Sequence, residues 1–208
     1  MEPLKLVVYY DYLCPWCYIG QVVAERLQKE HGAEVDWQPF LLHPEIPPEG
    51  REITQERRQA MMPSLTRIMQ RAKSDNLPYV VPGKMVYSRR ALEATEYARE
   101  HGKLHAFHHA VFHKLYGEGQ DIGNWEVLSD VARSVGLDAD DMMLAVTSGA
   151  YSAAIDAQMA KVHSIGLNSV PTYILNNRHT VVGAQPYEVF QRLLKEINTE
   201  DDGENSKG

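Results

Sequence analysis

The sequence predicts an α/β fold in which a βαβ half and a ββα half enclose an all-helical insertion. Three observations predict it. The chain opens on alternating strand, helix and strand patterns. A long middle stretch then carries helical periodicity with start and stop signals. The last part returns to two short strands and a closing amphipathic helix.

Leu4–Tyr10 is short and rich in aliphatic, β-branched and aromatic residues, the composition of a buried strand. After Asp11-Tyr12-Leu13 and the segment Cys14-Pro15-Trp16-Cys17 the period changes. Ile19, Val22, Val23 and Leu27 share one face of a helix that stops near Gly32. Val35–Phe40 reads as the second strand. His43–Gly50, with Pro44, Pro47 and Pro48, must be loop. Helices follow at Gln55–Asp75, Ser88–His101, Leu104–Gly117, Asn124–Val135 and Ala139–Lys161, and Asn76–Tyr87 is a loop holding Pro78, Pro82 and Gly83. Thr54 opens the first of these helices and Gly136 stops the fourth. Thr172–Leu175 and His179–Gly183 form a hairpin about Asn176-Asn177-Arg178, and Pro186 opens a last helix through Lys195. Residues 199–208, rich in Asp, Glu, Gly and Ser, read as a disordered tail. The order βαβ, helices, ββα is that of a thioredoxin-like fold: residues 1–50 and 162–198 form the thioredoxin-like domain, and 51–161 the helical insertion.

Hydrophobic residues at 44% and charged residues at 24% are ordinary for a globular chain. A formal charge of −7 argues against nucleic acid and anionic membrane surfaces as partners, since both call for a surplus of Lys and Arg. The opening residues carry no basic segment followed by a long apolar run, and no stretch approaches the ~20 apolar residues of a membrane span. The expected location is the cytoplasm.

The 2 cysteines are the informative part of the composition. A structural disulfide closes a long loop, whereas one between Cys14 and Cys17 removes little chain entropy. Zinc asks for four ligands, and no second cysteine pair exists; no metal is expected. The remaining reading is redox chemistry. At a helix N-terminus, unpaired N–H groups and the helix dipole favour a thiolate at Cys14, and Cys17 follows about one turn later, within reach of a mixed disulfide. Pro15 suits the first turn, where its missing N–H is no loss. Cys14 is thus expected to be the exposed nucleophile and Cys17 the buried resolving thiol. Far along the chain, Pro171 precedes a strand; having no N–H to donate, it belongs at a strand start or edge.

With these residues in place, the sequence resembles the DsbA-like thioredoxin-fold oxidoreductases, in particular their FrnE-type branch. The resemblance rests on Tyr10–Gly20, Leu42-His43-Pro44-Glu45, Val170-Pro171-Thr172 and Gly183–Tyr187. It implies a cis proline at Pro171 beside the dithiol, and a substrate-binding surface of Pro15, Trp16, Val170 and Pro171 where the backbone pairs with bound substrate as an added strand. It implies disulfide exchange on protein or small-molecule disulfides and dithiols without a bound cofactor. A sister group, the kappa-class glutathione transferases and 2-hydroxychromene-2-carboxylate isomerases, has a similar fold, typically carries serine where Cys14 stands, and uses glutathione. A glutathione-dependent reaction is therefore the rival enzyme, and a non-catalytic redox-sensing module the alternative outside enzymology.

Other residue types in the chain could also carry chemistry. His101, His105, His109 and His113 recur at helical spacing, and solvated helix histidines explain them better than a metal site, because no HExxH pattern accompanies them. His43 reads as a loop residue in preference to a proton-holding group near the dithiol. Asp11 reads equally as a proton acceptor and as a cap of the cysteine helix. Met61, Met62, Met69, Met142, Met143 and Met159 read as core or groove lining.

Overall fold

A computed structural model describes residues 3–205 of the chain. In order these form β1 (Lys5–Tyr10), α1 (Pro15–His31), β2 (Glu34–Pro39), β3 (Arg51–Glu52), α2 (Gln55–Ser74), β4 (Lys84–Met85), α3 (Ser88–Glu100) and α4 (Leu104–Phe112), which runs on as a π-helical turn over His113–Gly117. Then come α5 (Trp125–Ser134), α6 (Ala139–Thr147), α7 (Ser152–Ser164), β5 (Thr172–Leu175), β6 (His179–Val182) and α8 (Tyr187–Asn205). The main sheet has the order β2-β1-β5-β6, with β1 parallel to β2 and antiparallel to β5, and β5 antiparallel to β6. This is the thioredoxin-like fold expected from the sequence.

Central β1 is covered on both faces, which is why its apolar run is nearly unbroken. Leu6, Val8 and Tyr10 are buried on one side and Tyr9 on the other. One continuous core joins these residues to Phe107, Phe112, Val131 and Ile155 of the helical segment, so the insertion and the sheet share their buried surface. Tyr173 of β5 meets Phe190 of α8 edge-on, ring centroids 5.0 Å apart, fixing α8 on the sheet.

The structure corrects three readings. The single helix expected over Ala139–Lys161 is two, α6 and α7, broken where Gly149 takes φ +81°, a left-handed conformation that glycine adopts at little cost. The insertion read as all-helical begins with Arg51–Glu52, which pairs with Lys84–Met85 of the expected Asn76–Tyr87 loop in a short antiparallel ribbon, Arg51 opposite Met85 and Glu52 opposite Lys84; two-residue strands are too short to show a period. Finally, α8 continues through Asn205, past Thr199 where the tail was expected to begin. Tyr187, Phe190, Leu194 and Ile197 nucleate the helix by burial, and each further residue then adds only its own propensity. Residues 206–208 of the expected tail lie outside the described residues.

His108 sits in the aromatic core, stacked on Trp37 at a centroid distance of 4.0 Å and edge-on to Tyr10 at 4.4 Å. Both its ring nitrogens are buried without a hydrogen-bond partner among the described residues, and burial pushes the imidazole well below its usual pKa, so the ring is neutral in the fold. A depressed folded-state pKa means that the unfolded chain takes up the proton first. Stability is therefore full above about pH 6.5 and falls as the pH drops below it. His108→Phe keeps the stacking and removes the unpaired polar atoms. It is expected to raise stability at neutral pH by about 1 kcal/mol and to flatten the loss on the acid side. Denaturant unfolding of both proteins at several pH values checks this; an unchanged acid slope contradicts it.

Candidate active site

Cys14 is the N-cap of α1, with an extended backbone (φ −90°, ψ 109°) and Pro15 next in the chain. Its carbonyl accepts from the Cys17 amide at 2.9 Å, closing the first turn and bringing the two residues together. Across the site, the Cys14 thiol donates to the Val170 carbonyl at 3.5 Å. The Val170–Pro171 peptide is cis, Pro171 immediately precedes β5, and the Pro171 carbonyl accepts from the Gly183 amide at 2.7 Å. Two segments far apart in sequence thus converge: the start of α1 and the loop entering β5.

The sequence reading of Cys14 as exposed needs correction. Cys14 is 6% exposed and Cys17 1%, and the Val170 carbonyl lies 3.5 Å from the first sulfur. The two thiols nonetheless differ electrostatically. A hydrogen bond from Cys17, with further donation from the Cys17 and Trp16 amides, pulls the Cys14 thiol below its ordinary pKa against the opposing effect of burial. Burial pushes the Cys17 thiol well up, and the neighbouring Cys14 charge pushes the same way. Both cysteines are free thiols.

Gly20, on the first turns of α1, carries the closest approach in the site. The Tyr173 hydroxyl donates to its carbonyl at 2.9 Å. A Cβ on Gly20 would stand 2.2 Å from the Tyr173 oxygen and 3.2 Å from Pro171 Cγ. Glycine here lets α1 lie directly against β5 and the proline that precedes it.

Asp11 is fully buried and does not cap α1; among the described residues the N-cap has no side-chain hydrogen bond. Its carboxylate accepts from the Leu13 amide at 3.0 Å and from the Leu42 amide at 2.7 Å, tying the segment before the cysteines to the segment after β2. Burial raises its pKa while those amides, Ser88 and His43 oppose the shift. His43 pairs with Glu45 at 3.0 Å within its own loop, as expected of a loop residue.

Several site residues were not singled out from the sequence. Tyr116 donates to the Leu13 carbonyl at 2.8 Å and stacks against Tyr79 and Tyr18, with centroids 5.6 and 5.3 Å away. Tyr18 donates to the Pro78 carbonyl at 2.8 Å. Burial, with the Cys14 charge adding to it, pushes the Tyr79 phenol up to about 12. This tyrosine wall comes from the insertion, from a loop and from helix positions that carry no motif. Only the position of Tyr18 beside the cysteines was a signal.

The histidine series is not a cluster. His101 contacts the Tyr97 carbonyl, His105 accepts from the Trp37 indole at 3.3 Å, His109 faces Glu25 at 3.8 Å and His113 faces Glu118 at 3.4 Å. Among the described residues no three His, Cys, Asp or Glu side chains stand as metal ligands. Met142 is core, one of the two readings given to the methionines, whereas Met62 and Met69 are half exposed and outside it.

Comparison with known proteins adds to this geometry. The family model described as a DSBA-like thioredoxin domain matches residues 5–195. YwbO of Bacillus subtilis is 29% identical over 93% of this chain and 96% of its own length. A 2-hydroxychromene-2-carboxylate isomerase of Sphingobium xenophagum is 26% identical over 82% of this chain and 88% of its own. Among solved structures, a probable DsbA oxidoreductase from Streptomyces coelicolor superposes with a TM-score of 0.82 at 24% identity, over 93% of this chain and 89% of the other.

Proposed function

Because the chain belongs to the DSBA-like thioredoxin domain family, we propose that it exchanges disulfides through Cys14 as the attacking thiolate and Cys17 as the resolving thiol. The observation that carries this reading is the placement of Cys14 at the N-cap of α1, one turn before Cys17 and 3.5 Å from the Val170 carbonyl of the cis Val170–Pro171 segment; the opposite directions of the two thiol pKa shifts agree with it. In the exchange the Cys14 thiolate attacks one sulfur of a substrate disulfide, that S–S bond breaks, and the departing thiolate takes a proton. Cys17 then gives up its proton and attacks the Cys14 sulfur. The Cys14–Cys17 disulfide forms, the second substrate thiol leaves, and two electrons have passed to the substrate. Run backwards, the same steps oxidise a dithiol.

Pro15, Trp16, Val170 and Pro171 frame the substrate in this reading. The Val170 carbonyl, which meets the Cys14 thiol in the free protein, turns to a bound chain as an added strand would. No bound cofactor takes part. The partners are protein or small-molecule disulfides and dithiols rather than nucleic acid or membrane. In this reading the exchange takes place in the cytoplasm. No helix of the described residues is long and apolar enough to cross a membrane. Assignment to the FrnE-type branch rests on Leu42–Glu45 and Gly183–Tyr187.

The isomerase relative favours one rival, a glutathione-dependent transfer or isomerisation in this same site. A dithiothreitol-driven insulin assay, run beside a chromene carboxylate assay with glutathione, separates them. Insulin turnover that depends on Cys14 supports exchange. Turnover of the chromene carboxylate alone overturns it, and no turnover of either leaves the redox-sensing module.

The asymmetry of the thiols gives a pH prediction. Alkylation of Cys14 in the reduced native protein is expected to titrate below the free-thiol midpoint of about 8.5. Cys17 stays unreactive through neutral pH. Rate against pH, with peptide mapping of the label, checks both; preferential labelling of Cys17 contradicts the assignment.

A further inference from the structure

The outward side of α2 has no part in the exchange described so far. This helix carries five cations, Arg57, Arg58, Arg67, Arg71 and Lys73, against one carboxylate, Glu56, in a chain whose formal charge is −7. Arg71 is paired with Asp75 at 2.6 Å. Arg57, Arg58, Arg67 and Lys73 are exposed, and among the described residues none of them stands in an ion pair. Between them lie Met62 and Met69, 50% and 51% exposed. Spacings of four, seven and four residues put Arg58, Met62, Met69 and Lys73 on one stripe, two flexible thioethers between two cations.

The opposite side of α2 packs against the helix that carries the dithiol. On the side of α2 next to it, Ile68 and Ala72 pack with Ile19 of α1, and Trp16, Leu77, Tyr79 and Ala184 close round that cluster. Trp16 stands between the two cysteines, and Tyr79 feels the Cys14 charge. A chain seated on the stripe therefore lies on a helix that packs directly against α1, whose first turn holds the dithiol.

We propose that the Arg58–Met62–Met69–Lys73 stripe of α2 is the docking surface for an acidic, partly apolar polypeptide segment of a disulfide-bearing protein substrate. The proposal rests on the exchange reading above and names the substrate class of that site. Charge complementarity selects the occupant: a local surplus of cations on an otherwise anionic protein attracts an acidic segment, while the whole molecule is repelled by anionic membranes and nucleic acid. Methionines accept varied apolar side chains, so the surface selects for charge more than for shape.

The test uses the full chain with three substrates: a disulfide peptide flanked by Glu and Leu, the same peptide with Lys for Glu, and hydroxyethyl disulfide. The wild-type protein is expected to show a higher kcat/KM for the acidic peptide, with a preference that shrinks as salt rises. The double variant Arg58→Glu/Lys73→Glu is expected to lose that preference by roughly tenfold while turning over hydroxyethyl disulfide as before. Met62→Gln/Met69→Gln is expected to weaken the acidic peptide by a few-fold through KM. Equal kcat/KM for the two peptides, or a preference that survives charge reversal, overturns the proposal. So does wild-type binding to phosphatidylserine vesicles that the charge-reversal variant loses. Failure of the wild type on hydroxyethyl disulfide itself overturns the exchange reading, and the docking proposal with it.

Discussion

Cys14→Ser is expected to abolish disulfide exchange, and Cys17→Ser to accumulate covalent mixed disulfides with substrate. The two outcomes differ because the two sulfurs sit in different fields. Cys14 receives hydrogen bonds from the Cys17 side chain and from the Cys17 and Trp16 amides, all of which favour its thiolate. Serine there offers a hydroxyl that stays protonated at neutral pH and forms no disulfide, so turnover falls to background. Cys17 is buried, and its raised pKa keeps it a thiol until the mixed disulfide has formed next to it. Without it the first half-reaction still runs and the complex has no resolving group. Insulin reduction and non-reducing electrophoresis of the two variants give the readout. Equal activity of both variants and the wild type overturns the assignment of roles.

Gly20→Ala is the second large effect. The new Cβ would lie 2.2 Å from the Tyr173 oxygen, a contact no side chain tolerates. Tyr173 cannot swing away freely: it is fully buried, its hydroxyl bonds the Gly20 carbonyl at 2.9 Å, and its ring packs on Phe190. Either α1 shifts away from β5 or the tyrosine loses its bond, and overpacking of this kind costs about 1–3 kcal/mol. The same contact reaches Pro171 at 3.2 Å, so the displacement is transmitted to the segment whose Val170 carbonyl meets Cys14. Gly20→Ala is therefore expected to lower both the unfolding midpoint and the rate of exchange. Paired with Tyr173→Phe, which removes the clashing oxygen, it should recover part of both. Thermal melts and insulin turnover of the single and double variants measure this; no recovery in the double variant contradicts the account.

The parts of the fold legible in the sequence were those carried by long or strongly patterned segments. The β1 run, the helix after the cysteines and the β5–β6 hairpin with its Asn176-Asn177 turn announced themselves through period and turn chemistry. The two-residue ribbon of β3 and β4 did not, because its pairing is a tertiary fact. The break between α6 and α7 depended on Gly149 taking a positive φ, and a glycine within a helical pattern does not say whether it bends the chain or is merely tolerated.

The site divides in the same way. Cys14, Cys17 and Pro171 were visible as residue types that chemistry and backbone geometry restrict. The depth at which Cys14 is covered was not, since it is set by tertiary packing around the start of α1. The spacing of Asp11 fitted a proton acceptor and a cap equally; only the approach of Leu42 from beyond β2 shows it holding two chain segments together. Met62 and Met69 carry the pattern of a core face and stand half exposed, because the buried face of α2 is narrower than its apolar composition suggests.

The central claim is that Cys14 and Cys17 carry two electrons between them and a substrate disulfide. It is tested most directly by a single-turnover experiment, in which fully reduced protein is mixed with an equimolar disulfide peptide, quenched in acid and mapped by mass spectrometry. The account predicts a Cys14–Cys17 disulfide formed in step with one reduced peptide per chain, passing through a mixed disulfide at Cys14. Complete retention of both protein thiols, or a mixed disulfide that forms first at Cys17, would contradict it.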